Sequence, residues 1–120
     1  AGFLHWQFRT NDTFGFSVNG SSPADVESTT TFTTSGWHHV ATTYDSNSKV
    51  VSIYVDGELD KQTTLTTARE VDISSAVLHI GSWNADRHFN GKIDDVRIYN
   101  YEMTSQQIHE IYNAGAVNFN

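Results

Sequence analysis

Residues 37–64 read WHHVATTYDSNSKVVSIYVDGELDKQTT, and this run decides the fold. Trp37 to Tyr44 predicts a strand, with Val40, Thr42 and Tyr44 sharing one face, because successive side chains on a strand alternate sides. Asp45-Ser46-Asn47-Ser48 has the composition of a turn, since short polar side chains cap their own backbone there. Val50 to Val55 is dense in β-branched residues and predicts the next strand. Asp56-Gly57 then supplies the two residues that tolerate the positive φ values of a tight hairpin, and Glu58 to Thr64 returns. Three consecutive segments therefore form an antiparallel meander.

The same period extends in both directions. Phe14, Phe16 and Val18 alternate with Gly15, Ser17 and Asn19, and Asn19-Gly20 offers a turn. The Ser/Thr-rich stretch from Ser21 to Ser35 reads either as an edge strand or as a loop, with Phe32 as its apolar anchor. Downstream, Val77–Trp83 and Lys92–Asn100 predict two further strands around the polar loop Asn84–Gly91. One helix is legible near the end. Thr104 is placed to cap it, Gln107 stands at the capping-box position, and Met103 is placed to staple onto Ile108. Ile108, Ile111 and Tyr112 share a face, and Gly115 is placed to close the helix. Six or more strands with frequent turns predict an all-β sandwich carrying one short C-terminal helix.

Composition agrees and removes several function classes. A chain of 120 residues makes a single domain, 1–120, and 38% hydrophobic with 12% aromatic residues is too rich for disorder. Seven basic residues against 14 acidic ones give a net charge of −7 and a pI near 5.1, which repels nucleic acid and anionic membranes. Apolar runs such as Ile53–Val55 are too short for membrane insertion. With no cysteine, disulfides and thiolate metal sites are excluded. The chain opens Ala1-Gly2-Phe3-Leu4 without a signal peptide pattern.

Five phrases in order carry a resemblance. They are Gly36-Trp37-His38-His39-Val40-Ala41, Ile53-Tyr54-Val55-Asp56-Gly57, Leu78-His79-Ile80-Gly81-Ser82, the run Phe89–Asn100, and the Met103–Tyr112 helix. This pattern, spanning Gly36 to Gly115, resembles the laminin-G-like domain of the concanavalin A-like lectin/glucanase superfamily. The resemblance implies a jelly-roll β-sandwich of two antiparallel sheets in a secreted or cell-surface protein. It also implies glycan or protein binding, often with calcium. The family's usual first strands have no counterpart here, as expected of an N-terminally truncated or reduced sandwich. An open sheet edge would then recruit a partner, so homo-oligomer formation is expected.

Candidate chemistry divides by residue type. Glycoside hydrolysis needs two facing carboxylates, one with a raised pKa. The five glutamates Glu27, Glu58, Glu70, Glu102 and Glu110 are scattered, and adjacent Asp94 and Asp95 point to opposite faces of a strand. No nucleophile elbow, zinc-protease motif or phosphate-cradling loop occurs, so the chain is not expected to be an enzyme. His38-His39 points to opposite faces in the same way and makes no zinc site. By resemblance, Asp94 and Asp95 are the candidate calcium ligands. The plainer alternative has Asp94 hydrogen-bonding backbone at a strand start, or Asp95 pairing with Arg97 two residues along the same face.

A sugar site combines a flat aromatic ring with amide, carboxylate and guanidinium partners. Trp83, Asn84, Asp86, Arg87 and His88 supply that set within six residues, on a connection. Trp6, with His5, Gln7 and Arg9, is a second candidate, although Phe3, Leu4 and Phe8 beside it suit a core. Trp37 and Tyr54 are assigned to the core. The leading expectation is a non-catalytic carbohydrate-binding or adhesion module whose partner is a glycan or polysaccharide, with calcium as its one candidate cofactor. The alternative is a protein–protein or structural module that self-associates through an exposed sheet, and the third is a fragment of a glycoside hydrolase.

Overall fold

A computed structural model describes residues 3–83 and 86–116. Its strands are β1 (Leu4–Phe8), β2 (Thr13–Val18), β3 (Asp25–Thr31), β4 (Val40–Asp45), β5 (Val50–Val55) and β6 (Glu58–Thr64). They form two three-stranded antiparallel sheets, ordered β1-β2-β3 and β4-β5-β6. The helix α1 covers Ser105–Ile111 and runs into a π-helical turn, Tyr112–Ala116. The expected all-β sandwich with one short helix is what the chain builds.

The sheets meet through their patterned faces. Phe14, Phe16, Val18 and Val26 from one sheet pack against Val51, Ile53 and the following Leu65. Burying residues of this size contributes roughly 1.5–3 kcal/mol each. Polar bridges fix how the sheets face. Trp6 Nε1 donates to Thr42 Oγ1 at 2.7 Å, joining β1 to β4. The Asp60 carboxylate on β6 accepts the Thr29 and Thr30 backbone amides at 2.6 and 3.1 Å, joining β3 to β6. On the outer side of the second sheet, the Tyr54 hydroxyl lies 3.0 Å from Ser105 Oγ of α1. That contact accounts for the burial of Tyr54 although it alternates with Val51 and Ile53, while Ser52 on the same side accepts a hydrogen bond from Gln62 at 3.1 Å.

Local expectations hold where a motif is self-contained. Strands β5 and β6 run Val50–Val55 and Glu58–Thr64, as their patterns predict. Asp56 and Gly57 take φ values of 50° and 82°, as a primed turn requires. Thr104 and Gln107 form a complete capping box. The Ser/Thr-rich stretch resolves as the edge strand β3.

Four expectations are corrected. The strand predicted from Trp37 begins at Val40, because Asp56 holds the preceding turn, accepting the His39 amide at 2.9 Å and lying 3.0 Å from His38 Nδ1. Trp37 is 40% exposed rather than core, whereas Tyr54 is core at 4%. Gly115 lies inside the π-helical turn instead of ending the helix. Finally, Val77–Trp83 and Lys92–Asn100 carry strand patterns but join neither sheet among the described residues. Alternation supplies propensity, but a strand also needs a neighbour to bond, and neither sheet extends to these segments.

Candidate functional site

Strand parity sets up the site. On β1, Leu4, Trp6 and Phe8 turn toward the core, pairing with Val18, Phe16 and Phe14. His5 and Gln7 therefore project from the opposite face, opposite Ser17 and Gly15, with Asp25 and Glu27 of β3 beyond them. The result is a polar outer face on the first sheet, made by period-two alternation.

That face is held in order by charge. Arg9 lies across Gly15, pairs with Asp25 at 3.1 Å and approaches Glu27 at 3.5 Å. The Ser17 hydroxyl bonds Asp25 and, with Arg9, holds its carboxyl below the usual range. The Asn11 amide and the Thr13 hydroxyl, at 2.9 and 2.8 Å, hold Glu27 low in the same way. Both groups are thus poised as carboxylates, which accept hydrogen bonds and do not donate protons.

The loop after residue 80 wraps the free edge of β1. Phe89 packs on Phe8 with ring centroids 5.8 Å apart, and Trp83 lies 6.4 Å from the His5 ring. Trp83 and Asp86 exchange both backbone hydrogen bonds at 2.8 Å, an antiparallel bridge. The bridge places the Arg87 guanidinium over the Trp83 indole, 5.0 Å from the ring centroid, a cation–π arrangement. Asp86 Oδ1 accepts the Arg87 amide at 2.8 Å, with Arg87 at φ 52°. Trp83 remains 52% exposed.

Of the residues singled out from sequence, Trp83, Asp86 and Arg87 come together, and His88 is exposed beside them. Asn84 lies outside the described residues. Trp6 does not join them. Its ring packs on Phe16 at 5.3 Å and its indole N–H bonds Thr42, so it faces the other sheet. His5, reached only through the register of β1, stands at the Trp83 ring instead. The odd-numbered parity of His5, Gln7 and Arg9 is the sequence signal that separates them from Trp6.

Asp94 and Asp95 are otherwise engaged. Asp94 Oδ1 accepts the Asp95 amide at 2.8 Å, and both Asp95 oxygens hold Arg97, at 2.8 and 3.1 Å. Calcium takes about six to eight oxygen ligands, and a guanidinium already occupies this carboxylate. Among the described residues no group of three or more His, Asp or Glu side chains converges as a metal site. The donor set as arranged does not fit calcium. A separate shallow cavity of about 380 Å³ lies near Asp45, Tyr101 and Glu102. Asp45 there spends its oxygens on the Asn47 and Ser48 amides, at 2.9 and 3.3 Å.

Comparison with known proteins gives three findings. Residues 1–109 match a laminin-G family model described as the concanavalin A-like lectin/glucanases superfamily. A C-reactive protein of Xenopus laevis is 30% identical over 82 residues, covering 62% of this chain and 34% of that protein. An S-layer domain-containing protein from Clostridium thermocellum superposes with a TM-score of 0.58 at 15% identity, over 93% of this chain and 63% of that one. The chain thus spans about a third of the curated relative's length and under two thirds of the solved neighbour's.

Proposed function

The chain belongs to the laminin-G-like branch of the concanavalin A-like lectin/glucanases superfamily, and on that premise we propose a non-catalytic glycan-binding module of a secreted or cell-surface protein. The observation that carries this reading is the half-exposed Trp83 indole, held by its backbone bonds to Asp86 and flanked by the Arg87 guanidinium and His5. A pyranose presents an apolar C–H face to an aromatic ring and hydroxyls to polar neighbours. Trp83 supplies the ring. Arg87 supplies a fork of donors, Asp86 an acceptor, and His5 and His88 a donor or acceptor each. The polar outer face of the first sheet, with Gln7 and Ser17, extends the surface along which further sugar units would lie.

The electrostatics favour binding over hydrolysis. Hydrolysis needs a carboxylic acid kept protonated near neutral pH, by burial or by a second carboxylate. Asp25 and Glu27, the paired carboxyls of the outer face, are instead both held low by hydrogen bonds and Arg9. The relatives' names place one of them in S-layer proteins, which supports a surface location. No helix among the described residues is long and apolar enough to cross a membrane.

A glycan array probed with purified chain, with calcium and with EDTA, tests the reading. Binding is expected in both conditions, because the Asp94–Asp95 carboxylates are already occupied. Binding lost in EDTA would restore calcium to the site. Trp83→Ala should weaken binding by about tenfold or more, the scale of a buried anchor residue, with an unchanged melting transition. No binding by folded protein would overturn the proposal.

A further inference from the structure

Among the described residues, 77–101 carry many exposed apolar side chains. Val77, Leu78, Ile80, Val96, Ile98 and Tyr101 are each between 52% and 75% exposed. Clustered exposed apolar side chains mark interaction surfaces. The backbone is open as well. From Asn90 to Met103 it makes no backbone–backbone hydrogen bond to another described residue. Within 92–100 the Asp95 amide is taken by the Asp94 side chain at 2.8 Å. A β-patterned run whose backbone groups otherwise lack strand partners among the described residues is a template for another strand.

Charge identifies the occupant. Within 77–101, Asp86, Asp94 and Asp95 are cancelled by Arg87, Lys92 and Arg97, so the net charge of −7 lies entirely on the rest of the chain. Two copies of an acidic protein repel through most of their surface, and this neutral face is where they approach without that cost. The segment is also self-complementary. Antiparallel pairing about a twofold axis at Val96 sets Asp95 opposite Arg97 and Ile93 opposite Tyr99, with Val96 meeting its own copy. Opposite charges and aromatic–β-branched pairs directly across a ladder are both favourable. A twofold contact uses the same patch on both partners, as this one does.

We propose that Lys92–Asn100 pairs with the same segment of a second copy of this chain, forming a dimer in which Val77–Trp83 flanks the new ladder. In the single chain Asp95 holds Arg97 at 2.8 Å while sitting at φ 52°, a left-handed conformation unfavourable for aspartate in a strand. Pairing exchanges that contact for the same contact across the axis and returns Asp95 to extended backbone. The inference rests on the open backbone and the neutral apolar face, not on the glycan site.

Light scattering at tens of micromolar should give twice the chain mass of 13.4 kDa. Amide exchange should slow across 92–100 as concentration rises. Val96→Lys places two ammonium groups together at the axis and should halve the mass. Its circular dichroism should match the parent, since Val96 is 52% exposed. Asp95→Arg and Arg97→Asp should each favour the monomer, and the double exchange should restore the dimer. A parent chain of monomeric mass overturns the proposal, as it would if a different protein covers this face. A Val96→Lys variant that stays dimeric, or a double exchange that stays monomeric, overturns it too.

Discussion

Gly57 sits at φ 82°, and a β-carbon added there would lie 2.7 Å from the Tyr112 ring. Left-handed backbone costs an ordinary residue about 1–2 kcal/mol, and here the ring would also have to move. Gly57→Ala should therefore lower unfolding stability by at least that amount in urea titration, and a midpoint equal to the parent's would refute the close approach. Asp60 illustrates the opposite kind of dependence, on a polar group rather than on its absence. Its carboxylate accepts the Thr29 and Thr30 amides on the other sheet, and Thr30 adds its hydroxyl. Asp60→Ala leaves those donors without a partner, a loss of about 1–3 kcal/mol. Asp60→Asn keeps an acceptor oxygen and should recover part of it. Equal loss in both variants would mean that the charge, not the hydrogen bonds, joins the sheets.

Helix α1 is only seven residues long, so its stability depends on capping and on docking. Thr104 accepts the Gln107 amide at 3.2 Å, and Gln107 returns a bond to the Thr104 amide at 2.9 Å. Thr104→Ala should cost about 1 kcal/mol, read as a lower melting transition, while Thr104→Ser stays near the parent. This element was legible in the sequence because every group it needs lies within four residues. The same holds for the Asp56-Gly57 hairpin and for the Trp83–Arg87 stack, which the Trp83–Asp86 bridge assembles. What was not legible is long-range. His5 reaches Trp83 only through the register of β1 and the path of the loop around its edge. Trp6 looked equivalent to His5 in sequence, yet parity turns it inward to Thr42. Lys92–Asn100 carries as clear a strand pattern as Val50–Val55, but among the described residues only the latter has neighbours to bond on both sides.

At the scale of the whole molecule, the groups shifted in the acid range, His39 and four carboxyls, act in one direction. Burial is the largest influence on His39 and holds its imidazole below the ordinary value of about 6.5, although Asp56 and Asp95 nearby oppose this. The folded state thus prefers neutral His39, and the stability this gives is complete above that ordinary value. It is lost as pH falls through the lower folded one, because the unfolded chain takes up the proton first. The depressed carboxyls Asp25, Glu27, Asp45 and Asp72, each held by hydrogen bonds, add stability that persists to lower pH and disappears below the ordinary carboxylate range of about 4. Acidification also reduces the net charge of −7, which relieves self-repulsion and works against the loss. Screening decides between them: near 0.15 M salt the Debye length is about 8 Å, so diffuse repulsion is damped while these short contacts are not. At that salt, and at one fixed protein concentration so that association does not intrude, the melting temperature should fall in two steps. The first lies below about pH 6.5 and the second below about pH 4. His39→Gln should flatten the first step and leave the second, whereas a melting temperature that rises from neutral pH to the first step would show that relief of repulsion outweighs burial of the imidazole.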